Sequence, residues 1–202
     1  MSALRIAVCV SGRGTNLQAL IDAIAQGRLD ARIVFVAASR KSTPALDRAI
    51  AAGIPCRAFP PAANGGREAA QTLMAAAITA EGAELVVLAG YDRILSDAFW
   101  DRLGDIPVIN IHPSLLPAFG GLGMLGDRVH HAVLAAGVSE TGATVHRAHR
   151  GMLDEGEVLL QRAAPVLPGD TVESLSARVL AVEHEILVEA VGAFASRRPV
   201  AK

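Results

Sequence analysis

The sequence predicts an α/β fold: a single doubly wound, mostly parallel Rossmann-like sheet with an antiparallel extension and a long C-terminal helix. Three observations predict it. Short apolar runs alternate with helix-patterned segments through the first half, as repeated βα units do. A glycine-bearing loop, Ser11-Gly-Arg-Gly-Thr-Asn16, follows the first apolar run, at the strand end where such sheets bind ligands. Two strand-like segments, Thr141 to His146 and Glu157 to Val166, follow each other without a full helix between them, so they are expected to pair antiparallel.

Each element has its own reason. Arg5 to Val10 is a continuous apolar run of the kind buried on both faces. Asn16 to Ile24 has helical spacing and ends near Gly27. Ile33 to Ala38 reads as the second strand. Thr43-Pro44 opens a helix that closes at Gly53, with the proline where its missing N–H costs nothing. Ile54 to Phe59 is a weaker strand, and Pro60 to Gly66 a loop. Arg67 to Glu81 is an alanine-rich helix closed by Gly82. Leu85 to Ala89 and Pro107 to Ile111 are strands around a short helix, Ser96 to Leu103. The glycine-rich loop Phe119 to Gly126 precedes a helix from Asp127 to Ala136. Thr171 to Phe194 is the long last helix, with Leu175, Val179, Val182, Ile186 and Leu187 on its apolar stripe. With no repeat, linker or low-complexity segment, residues 1–202 read as one domain.

Composition excludes several classes. The 202 residues are 51% hydrophobic and carry a net charge of -1 with no basic run, which argues against a nucleic-acid partner. Cys9 and Cys56 are the only cysteines; they imply no disulfide framework, and Cys9 reads as a small buried filler. The N-terminus runs directly into a strand pattern, unlike a signal peptide, and no apolar run reaches the ~18 residues of a membrane span. A reducing cytoplasm and no membrane are expected. No histidine or cysteine spacing suits a metal.

The segment Val108-Ile-Asn-Ile-His-Pro-Ser-Leu-Leu-Pro117 carries the chemistry. A strand has period two, so Asn110 and His112 project from one face while Ile109 and Ile111 enter a core on the other. An imidazole can move a proton near neutral pH, and a carboxamide can donate to a developing oxyanion. That pair suits acyl-group transfer. In the Ser11–Asn16 loop, Gly12 and Gly14 let backbone N–H groups approach an anion at a helix N-terminus; the bland alternative is a tight turn with Thr15 or Asn16 as cap. A dinucleotide site is disfavoured, because Leu17 replaces the third glycine and Ser39-Arg40-Lys41 ends the second strand without an acid. The loop also lacks the lysine of a Walker A motif. Asp154, in the turn Met152-Leu-Asp-Glu-Gly156, is either a solvated turn residue or a partner for His112. His130 and His131 are read as lying off the substrate, His146 as beside the site, and His149 as an exposed loop residue. His184 is read as packing or capping locally.

The motifs Ser11-Gly-Arg-Gly-Thr-Asn-Leu-Gln-Ala19, Arg93-Ile-Leu-Ser96, Asn110-Ile-His-Pro-Ser-Leu-Leu-Pro117, Thr141-Gly-Ala-Thr-Val-His146 and Glu183-His184 together resemble the folate-dependent glycinamide ribonucleotide formyltransferases of purine synthesis, from Arg5 to about Ala193. The resemblance implies a single formyltransferase domain, with residues 1–105 as the acceptor-binding part and 106–202 as the catalytic and folate-binding part. It implies that His112 transfers a proton, Asn110 binds the formyl oxygen and Asp154 pairs with the histidine. Gly14, Thr15 and Asn16 would hold the acceptor phosphate, and Glu183 the glycinamide end. Arg67, Asp92, Arg93, Ile94, Leu95 and Asn110 would contact the folate. The implied co-substrate is 10-formyltetrahydrofolate, with no metal, small-molecule partners only, and a monomer or homodimer.

Four departures accompany the resemblance. Asp92 stands where the family commonly has methionine. Asp154 lies eight positions after His146 where seven are expected, which places one inserted residue in His149-Arg150-Gly151 and leaves Glu155 as a fallback partner. Leu122 and Leu125 replace a familiar lysine and tyrosine. Alternatives are a related folate enzyme acting on water, a formylated tRNA or a sugar, a nucleotide-binding module without turnover, and an NAD(P) dehydrogenase.

Overall fold

A computed structural model describes residues 3–196; Met1, Ser2 and residues 197–202, which the sequence reading included in its single domain, lie outside the described residues. The chain runs β1 (Leu4–Val10), α1 (Thr15–Ala25), β2 (Ala31–Ala38), α2 (Pro44–Ala51), β3 (Cys56–Ala58), α3 (Arg67–Ala80), β4 (Leu85–Leu88), α4 (Asp97–Leu103), β5 (Val108–His112), α5 (Asp127–Ala136), β6 (Glu140–Arg147), β7 (Val158–Pro165) and α6 (Val172–Ser196). The expected α/β class and element order hold, and most boundaries move by one or two residues.

β3 departs furthest, reduced to three paired residues. Pro55 has no N–H to donate and Pro60 closes the segment, so the ladder against Val36, Ala37 and Ala38 cannot lengthen. A 3-10 turn, Pro61–Ala63, falls inside the expected loop.

The seven strands form one sheet in the order β3-β2-β1-β4-β5-β6-β7. The first five in chain order are parallel, while β6 pairs antiparallel with β5 and β7 antiparallel with β6. The chain builds outward from β1 through β2 to β3, then returns to lay β4 on the other side of β1. That reversal opens a crevice at the carboxyl ends of β1 and β4.

Period-two alternation divides the core. Ile6, Val8 and Val10 join Leu17, Leu20, Leu175, Val179 and Ile186 on one face. Ala7 and Cys9 join Met74, Ile78 and Phe99 on the other. Cys9 is fully buried, and burial pushes its thiol up to about 12; it is the inert filler the sequence implied. Ile109 and Ile111 enter the first core and Val108 the second, so Asn110 and His112 share the face of α3 and α4.

Gly14 sets how closely the first loop approaches α2. It ends the loop at φ 72, and a Cβ there would lie 2.6 Å from the Ala45 Cβ and 2.7 Å from its Cα. Gly14→Ala is expected to lose about 2–4 kcal/mol in urea denaturation, from left-handed strain plus overpacking. A loss below about 1 kcal/mol would show that α2 yields to the methyl group.

Candidate active site

The crevice is a cleft of about 930 Å³, within the range of small-molecule sites. Its walls come from both sides of residue 105: the 11–16 loop, the 88–97 segment, the ends of β5 and β6, the 121–127 loop and the turn before β7. It holds all the residues singled out for catalysis, the acceptor and the folate: Asn110, His112, Asp154, Gly14, Thr15, Asn16, Glu183, Arg67, Asp92, Arg93, Ile94 and Leu95.

The candidate catalytic group is built across strands. β5 and β6 pair with Asn110 opposite His146 and His112 opposite Thr144. The Asn110 Nδ2 lies 3.0 Å from His146 Nε2 and 3.5 Å from Asp154 Oδ1. The His146 Nδ1 faces the Arg147 carbonyl at 3.0 Å, and a carbonyl only accepts. The neutral ring therefore carries its hydrogen on Nδ1, and Nε2 accepts from the Asn110 amide. This orients Asn110 with its N–H groups toward His146 and Asp154.

His112 is buried and donates from Nε2 to the Phe119 carbonyl at 2.9 Å. Its Nδ1 stands 3.6 Å from Asp154 Oδ2, an ion-pair distance too long for a hydrogen bond. Burial lowers the His112 pKa below 6.5, partly opposed by Asp154 and the Phe119 carbonyl, so the imidazole is neutral at pH 7. Burial pushes the Asp154 carboxyl up, but the His146 imidazole, the Gly121 N–H at 2.9 Å and His112 together hold it below its ordinary range. Asp154 is thus an ionised carboxylate with a side chain 7% exposed. Glu155 is exposed and off the cleft. Among the described residues, the non-glycine positions with positive φ are Phe119 and Asp154, the two that flank His112.

The Ser11–Asn16 loop does not use the side-chain cap expected of its tight-turn reading. Gly14, not Thr15 or Asn16, occupies the cap position of α1, and no side chain caps the helix. The first-turn N–H groups therefore have no side-chain acceptor. The Asn16 Nδ2 donates instead to Glu183 Oε2 at 2.7 Å.

The 92–95 segment is anchored from behind. Gln71, buried on α3, donates to the Ile94 carbonyl at 3.0 Å and accepts from the Ser96 N–H at 2.6 Å. Arg67 lies exposed at the start of α3 on the rim, and Ile94 is half exposed. The Asp92 carboxylate pairs with Arg40 and Arg93.

Several lining residues escaped the sequence reading. Arg13 and Arg40 put positive charge beside the anion loop; Arg13 in a glycine loop was the available signal. Gln71 carried none, since a buried glutamine looks like any helix residue. His130 was read as off the substrate, yet it is buried in the cleft wall with Nδ1 lacking a partner among the described residues. His146 is beside the site and His149 exposed, as expected; His184 lies outside the cleft.

Glu183 supplies a test of burial. Desolvation raises its carboxyl to about 7, against help from Asn16 and Arg13. The folded state then holds a proton that the unfolded state releases above pH 4.5. Stability should fall by on the order of 3 kcal/mol as pH rises from 4.5 through 7. Glu183→Gln, which still accepts from Asn16, is expected to erase that slope in urea melts at pH 5 and 8; equal slopes would show that the carboxyl is not held protonated.

Known proteins are similar over nearly the whole chain. The formyl transferase family matches residues 4–191. The trifunctional purine biosynthetic protein adenosine-3 of Bos taurus is 42% identical over 95% of this chain, which spans 18% of that protein's length. The phosphoribosylglycinamide formyltransferase of Escherichia coli K12 is 36% identical over 96% of this chain and 89% of its own. The crystal structure of glycinamide ribonucleotide transformylase 1 from Symbiobacterium toebii superposes with a TM-score of 0.89 at 42% identity, covering 100% of this chain and 92% of that one. With a shared fold, a match spanning both the anion loop and the Asn110–His112 strand, and this identity, the chain belongs to the formyl transferase family.

Proposed function

We propose that this protein transfers the formyl group of 10-formyltetrahydrofolate to the amine of glycinamide ribonucleotide, as a phosphoribosylglycinamide formyltransferase of purine biosynthesis. The observation that carries this reading is the meeting, in one cleft, of an uncapped anion loop and the Asn110–His112–Asp154 group. The loop suits a phosphorylated acceptor, and the three side chains suit a tetrahedral oxyanion.

The acceptor phosphate lies on the backbone of Gly14, Thr15 and Asn16, with Glu183 beside its glycinamide end. The folate lies along Asp92, Arg93, Ile94 and Leu95, with Arg67 at the rim and Asn110 at the formyl group. The neutral amine attacks the formyl carbon, forming a C–N bond and an oxyanion. Asn110 has one N–H engaged by His146 and the other held only at 3.5 Å by Asp154, so the second turns to the oxyanion. His112 is neutral before attack, and its bare nitrogen is Nδ1. It takes the proton shed by the amine, facing Asp154, which stabilises the imidazolium. The proton then passes to the folate nitrogen as its bond to the formyl carbon breaks. Every step in this scheme is carried by side chains and backbone of the chain, and none calls on a metal. All the groups named come from one chain, so a monomer suffices and a homodimer is compatible. No helix of the described residues is long and apolar enough to cross a membrane, and a cytoplasmic setting fits the proposed substrates.

A formyl-transfer assay with these two substrates tests the reading, beside reactions in which acceptor is omitted. Release of formate without acceptor, at the same rate, would assign a hydrolase instead. His112→Ala should lose about 10²–10⁴-fold in kcat; near-normal turnover would remove it from the reaction. The acid limb of kcat/KM should lie below 6.5, because burial lowers the His112 pKa. Asp154→Asn should lower kcat and move that limb further down, since the carboxylate is what raises the histidine. An unchanged rate and profile would transfer the role elsewhere.

A further inference from the structure

Three adjacent strands of the sheet, β2, β1 and β4, end at Ser39, Ser11 and the segment holding Asp92. Their polar groups close on one another. The Ser39 and Ser11 hydroxyls lie 2.7 Å apart, the Asp92 N–H donates to Ser11 Oγ at 2.9 Å, and Ser39 Oγ is 3.3 Å from Asp92 Oδ1. Each hydroxyl has one hydrogen. One arrangement satisfies every group: Asp92 N–H to Ser11, Ser11 to Ser39, and Ser39 to the Asp92 carboxylate. Ser11 and Ser39 are buried, at 4% and 2% exposure, so loss of one acceptor strands the others.

We propose that Asp92 is a positioning residue that couples the two substrate halves of the cleft, through this closed ring of hydrogen bonds with Ser11 and Ser39. The inference rests on the acceptor and folate assignments above. Ser11 begins the loop assigned to the acceptor phosphate, and Asp92 begins the segment assigned to the folate. Asp92 contributes its backbone N–H and its carboxylate to the ring, and Ser11 its hydroxyl. Ordering one segment by a ligand therefore orders the other, and two sites that share an ordering step bind cooperatively. The rim ion pair with Arg40 is not the carrier. Its guanidinium is 55% exposed, and pairs in water contribute little. The ring has both serine hydroxyls buried, with the Asp92 side chain 25% exposed, and it bridges both loops. Besides lining the folate side of the cleft, Asp92 acts through the loops it joins.

Calorimetry separates this role from simple support of the fold. Glycinamide ribonucleotide is titrated into the protein with and without saturating tetrahydrofolate, which carries no formyl group and so cannot react. In the wild type, tetrahydrofolate should tighten acceptor binding about fivefold. Asp92→Met accepts no hydrogen bond from a hydroxyl and should bring that ratio to one. Asp92→Asn keeps a carbonyl oxygen for Ser39 and should retain most of it. Ser39→Ala breaks the ring from a residue that does not line the cleft and should also remove the coupling; it carries the test if Asp92→Met melts early. A ratio of one in the wild type, or an unchanged ratio in Asp92→Met or Ser39→Ala, overturns the inference while leaving the formyltransferase reading intact. Failure of the wild type to bind either compound overturns that reading first, and the coupling with it.

Discussion

The arrangement of the site depends on one buried charge, the Asp154 carboxylate. With a side chain 7% exposed, it must be satisfied from within the protein. Gly121 donates to it at 2.9 Å, and the His112 and His146 imidazoles and the Asn110 amide gather around it within 3.6 Å. Those contacts draw together three parts of the chain far apart in sequence: the end of β5, the loop after Pro117 and the turn before β7. The Gly121 N–H and the Asn110 amide face the carboxylate as donors, and the two imidazoles stand beside it at ion-pair distance.

Backbone strain marks the same place. Phe119 at φ 55 and Asp154 at φ 58 adopt a conformation that side chains disfavour. Phe119 thereby turns its carbonyl to His112, and Asp154 turns its carboxylate inward. Between them Gly120 packs closely, where a Cβ would lie 2.5 Å from the end of the Leu116 side chain and 3.3 Å from the Asp154 Cβ. The cost of two left-handed residues, about 1–3 kcal/mol each, is offset by the hydrogen bonds they make possible. Packing and supporting hydrogen bonds of this kind are what hold the groups of a site in place.

The remainder of the cleft follows from doubly wound topology. Reversal of strand order between β1 and β4 leaves their carboxyl ends uncovered, and both loops that leave there face one another. One carries free N–H groups, the other a backbone pinned by Gln71. The Asp92 ring spans the gap between them. The charge of the residue at position 92 is turned toward Ser39 and Arg40.

The sequence by itself determined what depends on near neighbours. Alternation put Asn110 and His112 on one face and Ile109 and Ile111 in the core, and glycine and proline placed the ends of helices and strands. The motifs of Ser11–Asn16 and Asn110–Pro117 carried the family. Tertiary structure decided what depends on pairing across long separations. It distinguished Asp154 from Glu155 by folding one into the cleft and leaving the other in water. It set His146 opposite Asn110 through antiparallel register, brought His130 into the wall, and turned Gln71 and Ser39 from ordinary residues into anchors. The division has a physical cause: periodicity is a property of a few consecutive residues, whereas desolvation and hydrogen-bond partnership exist only after distant segments have packed.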